Sequence, residues 1–281
     1  RGDRVMSYIP NSIQWVIAFL GIQKIGAVIV PVAPIYTSHE IIYMIKDAGV
    51  DVAVCTDTNF CYVKEALEQT DLKQVIVTNM ADMLPTWKRY LGVLFDKIPT
   101  GKVDRDDRVR RFRPLLRHSP IQKPANIDPE KDLSYILYTG GTTGFPKLVM
   151  LTHANIGTNG YWIGENQNFT HEDRVCIPVP LFHCFGCVLG VLAAVTHAAT
   201  MVLLETFDPV AVMASVEEER CTALYGVPTM FIAVLQHKLF KKFDFGTLRT
   251  GIMAGSPCPI EVMRQVIDQM NMSEITICYG L

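Results

Sequence analysis

Short apolar runs alternate with amphipathic segments from Arg1 to Thr78, and this alternation constrains the fold more than any other feature of the sequence. Four runs, "DRVMSYI", "AVIVPV", "VDVAVC" and "QVIVT", are typical of buried strands. Between them lie three segments with helical spacing, "SIQWVIAFLGIQKI", "EIIYMIKDA" and "NFCYVKEALEQ". Because buried strands that alternate with helices pair in parallel, the pattern predicts a doubly wound sheet with helices on both faces.

Capping residues predict where the first helices begin and end. Asn11 is expected to cap the first helix, which stops at Gly26. The "TSHE" sequence, Thr37 to Glu40, has the spacing of a capping box and is expected to open the second helix. Gly49 is expected to end that helix.

Residues 80–131 interrupt the alternation. They hold an amphipathic piece around Trp87, Leu91 and Leu94, followed by a charged stretch. Between Lys102 and Lys123 there are eight lysines and arginines and three aspartates. One interpretation is a solvated surface insertion, and the other is an element that touches a membrane or borders a substrate channel.

The alternation then resumes and continues to the last residue. The strands are expected at "LSYILYTGG", "RVCIPVP", "TMVLLE", "TALYG", "RTGIMAG" and "EITICYG", with helices near His153, Phe185, Asp208, Thr229 and Pro259. The apolar run Gly186 to Glu205 approaches the length of a membrane span, but polar residues such as His197 favour a buried helix followed by a buried strand. We therefore predict an α/β fold of two packed, doubly wound, mostly parallel sheets, with domains at 1–163 and 164–281.

Composition limits the functional classes. Hydrophobic residues make up 49% of the chain and the net charge is −2, so a large core is expected and nucleic acid is not an expected partner. Most of the eight cysteines lie in apolar runs and no signal peptide precedes them, which predicts a reducing, cytoplasmic location.

Glycine follows the carboxyl end of several predicted strands, where ligands of open parallel sheets bind. The motifs are "YTGGTTG", "PLFHCFG", "YGVP", "MAGSP" and "YGL", and each alone is an ordinary strand-to-helix turn. Glycines allow close approach of a ligand, and Tyr225 and Tyr279 add flat faces beside them. Together the motifs predict one pocket for a large, planar, charged ligand such as a nucleotide.

The stretch "YTGGTTGFPK", from Tyr138 to Lys147, is predicted to bind phosphate. Its glycines expose backbone N–H groups, its threonines offer hydroxyls for phosphate or magnesium, and Lys147 adds a positive charge. The Walker spacing is absent, because no glycine directly precedes Lys147 and Leu148 follows it. The spacing therefore excludes an ordinary P-loop.

Two other motifs leave alternatives open. "HCFGC", His183 to Cys187, has C-x-x-C spacing that a metal or redox site would use, but no second C-x-x-C accompanies it. His153 is either a catalytic base or a polar contact at the start of a helix.

The longer stretch "YTGGTTGFPKLVMLTH" closely resembles the signature of the acyl-adenylate-forming, or AMP-binding, superfamily of acyl-CoA synthetases, peptide-synthetase adenylation domains and luciferases. The other motifs follow in the family's order: "GAVIVPVAPIYTSHEIIYMIKDAGVDVAV", "PLFHCFGCV", "YGVPTMF", "AGSPCP" and "YGL". The resemblance covers essentially the whole chain. The "YTGGTTG" spelling and the Leu84–Lys102 insertion are most similar to fatty-acyl-CoA ligases.

The resemblance implies a role for each matching residue. The residues implied to wrap the β- and γ-phosphates of ATP are Thr139, Gly140, Gly141, Thr142, Thr143, Gly144, Phe145, Pro146 and Lys147. Thr139 is also the implied magnesium ligand, and Thr139, Lys147 and His183 are the implied catalytic residues. The residues implied to lie near the adenine are Gly255, Ser256, Pro257, Cys278, Tyr279, Gly280 and Leu281, with Tyr279 stacked on the base. His183 is implied to lie by the substrate carboxylate, and Phe182, Tyr225, Gly226 and Val227 to border the acyl pocket.

The implied reaction has two steps and uses ATP, Mg²⁺ and coenzyme A. A carboxylate, here a fatty acid, attacks the α-phosphate to give an acyl-adenylate and pyrophosphate, and the coenzyme A thiol then displaces AMP. Magnesium and cationic groups matter more here than a protein base. Two alternatives stay open: an adenylation enzyme with another acceptor, and a truncated, non-catalytic module that binds a nucleotide or an acyl group.

Two departures from the family pattern qualify these expectations. Leu148 stands where the family usually has glycine, which is expected to stiffen the loop without abolishing nucleotide binding. The sequence stops after "YGL", before the family's threonine–glutamate pair, ribose-binding aspartate, hinge and C-terminal domain with its adenylation lysine. The chain is therefore expected to be a fragment of a ligase, inactive or weakly active alone, with peripheral membrane contact as a further expectation.

Overall fold

A computed structural model describes residues 1–95, 97–140 and 146–280. The chain divides into two compact units, Arg1–Asn155 and Ile156–Leu281, which are taken one at a time below. The α/β prediction is confirmed, since each unit holds a mostly or wholly parallel sheet with helices around it. The predicted boundary between residues 163 and 164 lies in the helix His153–Asn166, which also holds the border between the two units, and it stays a prediction.

The first unit holds a seven-stranded sheet with the order β5-β4-β3-β1-β2-β6-β7. Its strands are β1 (Arg4–Tyr8), β2 (Val28–Pro31), β3 (Val52–Thr56), β4 (Gln74–Thr78), β5 (Val109–Arg111), β6 (Leu133–Thr139) and β7 (Lys147–Thr152). Its helices are α1 (Ile13–Lys24), α2 (Ser38–Ala48), α3 (Phe60–Gln69), α4 (Thr86–Leu94) and the short α5 (Phe112–Leu115), with a 3-10 turn at Met80–Met83. All strand pairs are parallel except β6 with β7.

Local capping explains where the first two helices begin. Ser12, not Asn11, caps α1, because the extended backbone of Ser12 lets its hydroxyl accept a hydrogen bond from the Trp15 N–H at 3.2 Å. The prediction of Asn11 as the cap was wrong by one residue. The capping box of α2 is confirmed: the Thr37 N–H donates to Glu40 Oε2 at 2.9 Å. Gly49 ends α2 in the left-handed conformation, as predicted.

The core of the first unit lies where α2 and α3 cover the sheet. Met6, Ala53 and Val75, from three neighbouring strands, are fully buried against Ile41 of α2 and Val63 of α3. Burial of one large apolar side chain contributes about 1.5–3 kcal/mol, so these contacts supply the main force that holds the layers together.

The second unit holds a five-stranded, wholly parallel sheet with the order β12-β11-β10-β8-β9. Its strands are β8 (Arg174–Ile177), β9 (Thr200–Leu203), β10 (Ala223–Gly226), β11 (Thr250–Ala254) and β12 (Glu274–Cys278). Its helices are α6 (His153–Asn166, which begins in the first unit), a π-helix (Phe185–Leu192) continued by α7 (Ala193–Thr196), α8 (Pro209–Glu218), α9 (Pro228–Leu235) and α10 (Ile260–Met270), with a 3-10 turn at Phe240–Lys242. The core includes Val212, Phe231, Met253 and Val266, all fully buried or nearly so.

The apolar run from Gly186 to Glu205 folds as predicted, into a helical segment followed by β9. Within the part of the chain that the structure describes, we find no helix with the length and apolar character needed to cross a membrane.

The glycine loop after β6 departs from the expected strand-to-helix turn. It leads into β7, which pairs antiparallel with β6, so that Thr139 lies opposite Lys147 and Tyr138 opposite Leu148. β6 is therefore followed by an antiparallel strand and not by a helix, and α6 begins only at His153, after β7 has ended.

Candidate functional site

The strand order of the second sheet identifies where a ligand would bind. β9 lies on one side of β8 and β10 lies on the other, so the chain reverses its direction across the sheet between β8 and β10. Open α/β sheets bind ligands beyond the carboxyl ends of the strands at such a switch point. In the second unit these ends are Ile177 and Gly226.

A small apolar crevice, with about 10 Å³ of space, lies at this switch point. Its lining residues are Pro178, Phe207, Val212, Leu224, Tyr225, Gly226, Met230, Phe231 and Val234. A Cβ atom at Gly226 would lie 3.0 Å from Cε2 of Phe231, which is tighter than an ordinary contact. The glycine therefore avoids crowding Phe231 at this apolar strand end.

Tyr225 forms one wall of this crevice and is fully buried. Its ring stacks on Phe185, with the centroids 5.9 Å apart and the planes 26° from parallel. Burial raises the pKa of the Tyr225 phenol well above its ordinary value, so the group stays neutral. Its hydroxyl has no hydrogen-bond partner among the described residues. A buried hydroxyl without a partner costs about 1–3 kcal/mol, which a ligand oxygen or a water molecule would offset.

His183 lies in the loop between β8 and the π-helix. The Phe185 N–H donates to His183 Nδ1 at 3.2 Å, and a backbone N–H can only donate. Desolvation lowers the pKa of His183 below its ordinary value. The imidazole is therefore neutral at pH 7 and carries its proton on Nε2, which suits it to donate one hydrogen bond to an anionic oxygen. Phe182, next to it, is half-buried.

The C-x-x-C pair beside His183 does not assemble a metal centre in the described residues. Cys184 Sγ lies 3.5 Å from His183 Nδ1, whereas Cys187, three residues further on, is buried. Across residues 1–95, 97–140 and 146–280 there is no group of three or more histidine, cysteine, aspartate or glutamate side chains that could hold a metal ion.

The segments that follow β10 and β11 contact each other. Gly255, directly after β11, has φ of 86°, a conformation that side-chain-bearing residues rarely adopt. A Cβ atom at Gly255 would lie 2.9 Å from Cγ1 of Val227. The glycine therefore lets the "AGSP" and "YGVP" motifs approach each other. Ser256 and Pro257, which follow it, are exposed.

The strand β12 extends the same edge. Cys278 pairs with Ala254 of β11, so the chain after Cys278 leaves the sheet beside the Gly255 turn. The Tyr279 side chain is 99% exposed, which leaves its ring free to stack on a flat ligand. Cys278 is half-buried, and desolvation raises the pKa of its thiol. Gly280 is exposed, and Leu281 lies outside the described residues.

The glycine loop lies in the first unit. Thr139 Oγ1 is 3.4 Å from the Lys147 carbonyl oxygen, a long hydrogen bond that leaves the hydroxyl able to take another partner. A Cβ atom at Gly140 would meet nothing within 4 Å. Pro146 is half-buried, and the Lys147 side chain is exposed, with no ion pair to any described residue. The predicted site residues Gly141, Thr142, Thr143, Gly144 and Phe145 lie outside the described residues.

The base of this loop is held by packing. Tyr138 and Leu148 face each other across the hairpin, and both pack against the core of the first unit. The Tyr138 hydroxyl lies within hydrogen-bonding distance of Asp47 Oδ2, at 3.1 Å, and of the Met44 carbonyl oxygen, at 3.2 Å. Burial raises the pKa of Tyr138, so the hydroxyl remains a donor. Leu148 thus has a packing role that the sequence did not reveal.

The first sheet has its own switch point, between β1 and β3, and the chain covers it. Gln14 Nε2 donates to the Asn79 carbonyl oxygen at 3.0 Å. Asn79 Nδ2 in turn donates to Asp57 Oδ2 and to the Pro99 carbonyl oxygen, both at 2.9 Å. A Cβ atom at Gly101 would lie 1.9 Å from the Asp57 carbonyl oxygen, so the insertion packs directly on the end of β3.

His153 is positioned as a helix-start residue. Its N–H donates to the Asp132 carbonyl oxygen at 3.3 Å where α6 begins. His153 Nε2 is buried, with no hydrogen-bond partner among the described residues, and burial lowers the pKa of the ring. A buried ring nitrogen favours the structural interpretation over that of a catalytic base.

Three aromatic residues went unpredicted: Phe207 and Phe231, which line the crevice, and Phe185, which stacks on Tyr225. Phe207 follows the end of β9, and Phe231 lies in the first turn of α9, after β10. A search for aromatic residues within five positions of each strand's carboxyl end would have found both. Phe185 contacts Tyr225 across two elements, and nothing local in the sequence predicts that contact.

The described residues at the glycine loop offer few oxygen ligands to a magnesium ion. Thr139 offers one neutral oxygen, and carboxylate, histidine and cysteine clusters are absent from the described part of the chain. Mg²⁺ commonly keeps several waters and takes the rest of its oxygens from substrate phosphates. The donor set therefore fits a magnesium ion that arrives with a nucleotide, and not an ion held by protein side chains alone.

Comparison with known proteins agrees with this geometry. A family model described as "AMP-binding enzyme" matches residues 1–281. YngI of Bacillus subtilis, provisionally named an acyl-CoA synthetase, is 41% identical over 288 residues, which is 100% of this chain and 51% of YngI. Acyl-CoA ligase SID4 of Ajellomyces capsulatus is 38% identical over 287 residues, 100% of this chain and 47% of SID4.

A third relative is the medium-chain acyl-CoA ligase ACSF2, mitochondrial, of Danio rerio, 32% identical over 297 residues, 100% of this chain and 47% of ACSF2. The chain therefore spans about half the length of the curated relatives that it matches.

Two solved structures share the fold. The anthranilate CoA ligase AuaEII in complex with anthranoyl-AMP has a TM-score of 0.82 at 21% identity, over 99% of this chain and 50% of AuaEII. ATP-bound MatB from Rhodopseudomonas palustris has a TM-score of 0.76 at 23% identity, over 100% of this chain and 50% of MatB.

Proposed function

Because this chain belongs to the AMP-binding enzyme family, we propose that its protein activates a carboxylic acid with ATP and transfers the acyl group to coenzyme A. The observation that carries this proposal is the apolar crevice at the switch point of the second sheet, where Gly226 ends the strand β10. The names of the relatives, which include medium-chain and long-chain acyl-CoA ligases, support the same chemistry.

The reaction proceeds in two balanced steps. A carboxylate oxygen of the acid attacks the α-phosphorus of ATP, the bond from that phosphorus to the β-phosphate bridging oxygen breaks, and acyl-AMP and pyrophosphate form. The sulfur of coenzyme A then attacks the acyl carbon, its thiol proton passes to solvent, and AMP leaves. Positioning and charge stabilisation dominate such phosphoryl chemistry.

Phosphate binding is assigned to the loop from Thr139 to Lys147. The exposed Lys147 ammonium would contact the phosphates, and the open space at Gly140 lets a phosphate oxygen approach the backbone. When bound, magnesium would neutralise part of the phosphate charge, and Thr139 is the residue that would hold it.

Orientation of the acid is assigned to His183. Its neutral ring donates from Nε2 to one carboxylate oxygen, while Nδ1 is fixed by the Phe185 N–H. A neutral donor holds the carboxylate without forming a tight ion pair, so the oxygen keeps its nucleophilicity.

The acyl chain is assigned to the apolar lining of the crevice, which must widen to admit it because its present space holds about one water molecule. Tyr225 and Gly226 line the crevice, Val227 follows Gly226 in the chain, and Phe182 lies four residues after the lining residue Pro178. An apolar lining favours a fatty acid over a polar acid, since a polar tail would lose its hydrogen bonds to water. The relatives' names span two ranges of chain length, so the length is left to experiment.

The adenine is assigned to the edge formed by Gly255, Ser256 and Pro257, with Tyr279 stacking on the base. The exposed Gly280 and half-buried Cys278 flank that tyrosine. The Gly255 turn brings backbone close to where a flat ring would lie.

The test is acid-dependent release of pyrophosphate by the full-length protein that contains this chain. The protein is supplied with Mg-ATP and a panel of short-, medium- and long-chain fatty acids, with and without coenzyme A. Pyrophosphate release that requires an acid, and acyl-CoA that appears only with coenzyme A, support the proposal.

Other outcomes separate the alternatives. Pyrophosphate release without thioester formation indicates an adenylation enzyme with another acceptor. ATP binding without pyrophosphate release for any acid would contradict the enzyme and support a non-catalytic binding module.

A further inference from the structure

Helix α4 presents an apolar face to solvent. Trp87, Tyr90, Leu91 and Leu94 recur at positions i, i+3, i+4 and i+7, so they lie on one side of the helix. Their exposed fractions are 61%, 68%, 41% and 62%, and no residue of α4 is buried. Phe95, directly after the helix, is 66% exposed and extends the same apolar surface.

The opposite side of α4 holds the helix in place. Arg89 Nη1 forms an ion pair with the buried Asp82 at 3.3 Å. A Cβ atom at Gly92 would lie 2.3 Å from Cδ1 of Ile98, so Ile98 packs directly against the helix backbone there. Arg89 and Gly92 thus fix which side faces inward, and the aromatic side faces outward.

Positive charge is concentrated in the stretch of sequence that contains this helix. The segment from Leu84 to Lys123 holds eleven of the 26 lysines and arginines of the chain and four of its 28 acidic residues, although the whole chain has a net charge of −2. Lys88 and Lys97 are exposed, with no ion pair to a described residue, and Lys88 Nζ lies 5.5 Å from the centre of the Trp87 ring.

We propose that the outward face of α4, comprising Trp87, Tyr90, Leu91, Leu94 and Phe95, docks on the surface of a membrane that contains anionic lipids. Interfacial helices place aromatic and leucine side chains at the boundary between headgroups and acyl chains, with lysines at the level of the headgroups. A second copy of this chain is a poorer occupant, because it would bring two strongly basic segments together.

The proposal rests on the surface of α4 and not on the proposed ligase activity, so vesicle binding tests it directly. The full-length protein is sedimented with vesicles of phosphatidylcholine alone and of phosphatidylcholine mixed with phosphatidylglycerol. We expect binding to the mixed vesicles, weaker binding to the neutral ones, and loss of binding at high salt.

Two double variants separate the contributions. Trp87→Ser with Leu94→Ser is expected to weaken binding to mixed vesicles about tenfold or more, because two apolar side chains no longer enter the interface. Lys88→Glu with Lys97→Glu is expected to weaken it by about fivefold or more for each lysine. Ile35→Ser, at an isoleucine that is 86% exposed elsewhere in the first unit, is the matched control and should bind as the wild type does.

Depth of insertion gives a second measurement. Trp15 is fully buried and Trp162 is 58% exposed, so a Trp162→Phe background leaves Trp87 as the exposed tryptophan of residues 1–281. Brominated acyl chains should then quench more fluorescence in protein that carries Trp87 than in the same background with Trp87→Phe.

Several results would overturn the proposal. The wild type could fail to bind anionic vesicles, or the Trp87→Ser, Leu94→Ser variant could bind them as well as the wild type does. The protein could also form a dimer in solution that this variant abolishes while its vesicle binding persists. Since the substituted side chains are exposed, the melting temperature should change little in every variant, and pyrophosphate release in the absence of vesicles should be unaffected.

Discussion

At Gly255 the backbone has φ of 86°, and a methyl group there would press against Val227. Gly255→Ala is expected to lower the free energy of unfolding by about 1–2 kcal/mol for the left-handed backbone, with a further loss from the contact. The decrease is measured as a lower denaturant midpoint in urea unfolding. The same variant should bind ATP more weakly if the turn lies against the adenine as proposed.

Gly157 is the matched control for this substitution. It lies within α6, and a Cβ atom there would meet nothing within 4 Å. Gly157→Ala is expected to stabilise the protein by up to about 1 kcal/mol, because alanine favours helix. Equal stability of Gly255→Ala and the wild type would contradict the assigned strain.

The pKa of His183 is the second prediction at this scale. Desolvation disfavours the imidazolium in the folded protein, so the folded pKa lies below that of the unfolded chain. As the pH falls below about 6.5, His183 is protonated in the unfolded chain before it is protonated in the folded protein. The free energy of unfolding is therefore highest above that pH with respect to this group, and it decreases as the pH falls. Titration of the histidine by NMR should give a pKa below about 6.5, and a value above it would contradict the desolvation.

Two substitutions test the proposed donor at Nε2. A glutamine amide can place an N–H near the Nε2 position, whereas the shorter asparagine replaces only the Nδ1 end. His183→Gln is therefore expected to retain more acid-dependent activity than His183→Asn. The difference expected is about 10- to 100-fold in kcat/KM for the acid, the worth of one hydrogen bond to a charged group.

At the scale of elements, the β6–β7 hairpin ties the glycine loop to the core through Leu148 and Tyr138. Leu148→Gly is expected to lower the free energy of unfolding by about 1–3 kcal/mol and to raise the KM for ATP, because the loop loses its packed base. Leu148→Val keeps an apolar contact, so its free energy of unfolding and its KM for ATP should lie between those of the wild type and Leu148→Gly. An unchanged KM for ATP in Leu148→Gly would show that this packing does not position the loop.

The sequence predicted the elements where local signals were strong. Thr37, Glu40 and Gly49 set the ends of α2 through contacts within one turn, and those contacts are visible as a motif. β5 was not predicted, because a three-residue edge strand with exposed Arg110 and Arg111 has too few buried positions to show alternation. Asn11 and Ser12 are both good capping residues, and only the backbone conformation of Ser12 decides between them.

At the scale of the whole molecule, the rhythm of strands and helices predicted two α/β layers of parallel strands, but not the order of the strands. Strand order depends on contacts between distant residues: Gln14 and Asn79, which help to cover the switch point of the first sheet, are 65 positions apart. The motifs at the strand ends were visible, whereas the crevice that they border depends on packing by Phe207 and Phe231.

Both sheets reverse direction at a comparable point, and the insertion covers that point in the first sheet. Gly101→Ala is expected to lower the free energy of unfolding by about 1–3 kcal/mol, because a methyl group 1.9 Å from the Asp57 carbonyl oxygen forces the backbone to move. Urea unfolding measures the loss. Gly21→Ala, in an exposed part of α1 where a Cβ atom meets nothing within 4 Å, should instead be neutral or stabilising.

The segment from Pro99 to Gly101 can be regarded as a tethered ligand of the first sheet. Its carbonyl oxygen takes the hydrogen bond from Asn79 that a free molecule would otherwise take, and its backbone covers the end of β3. A tether gives such a ligand a very high effective concentration, so small molecules in solution do not compete with it. Shortening this loop would therefore remove an internal contact and leave an open polar site beside Asp57 and Asn79. A second binding site for a small molecule could be designed there.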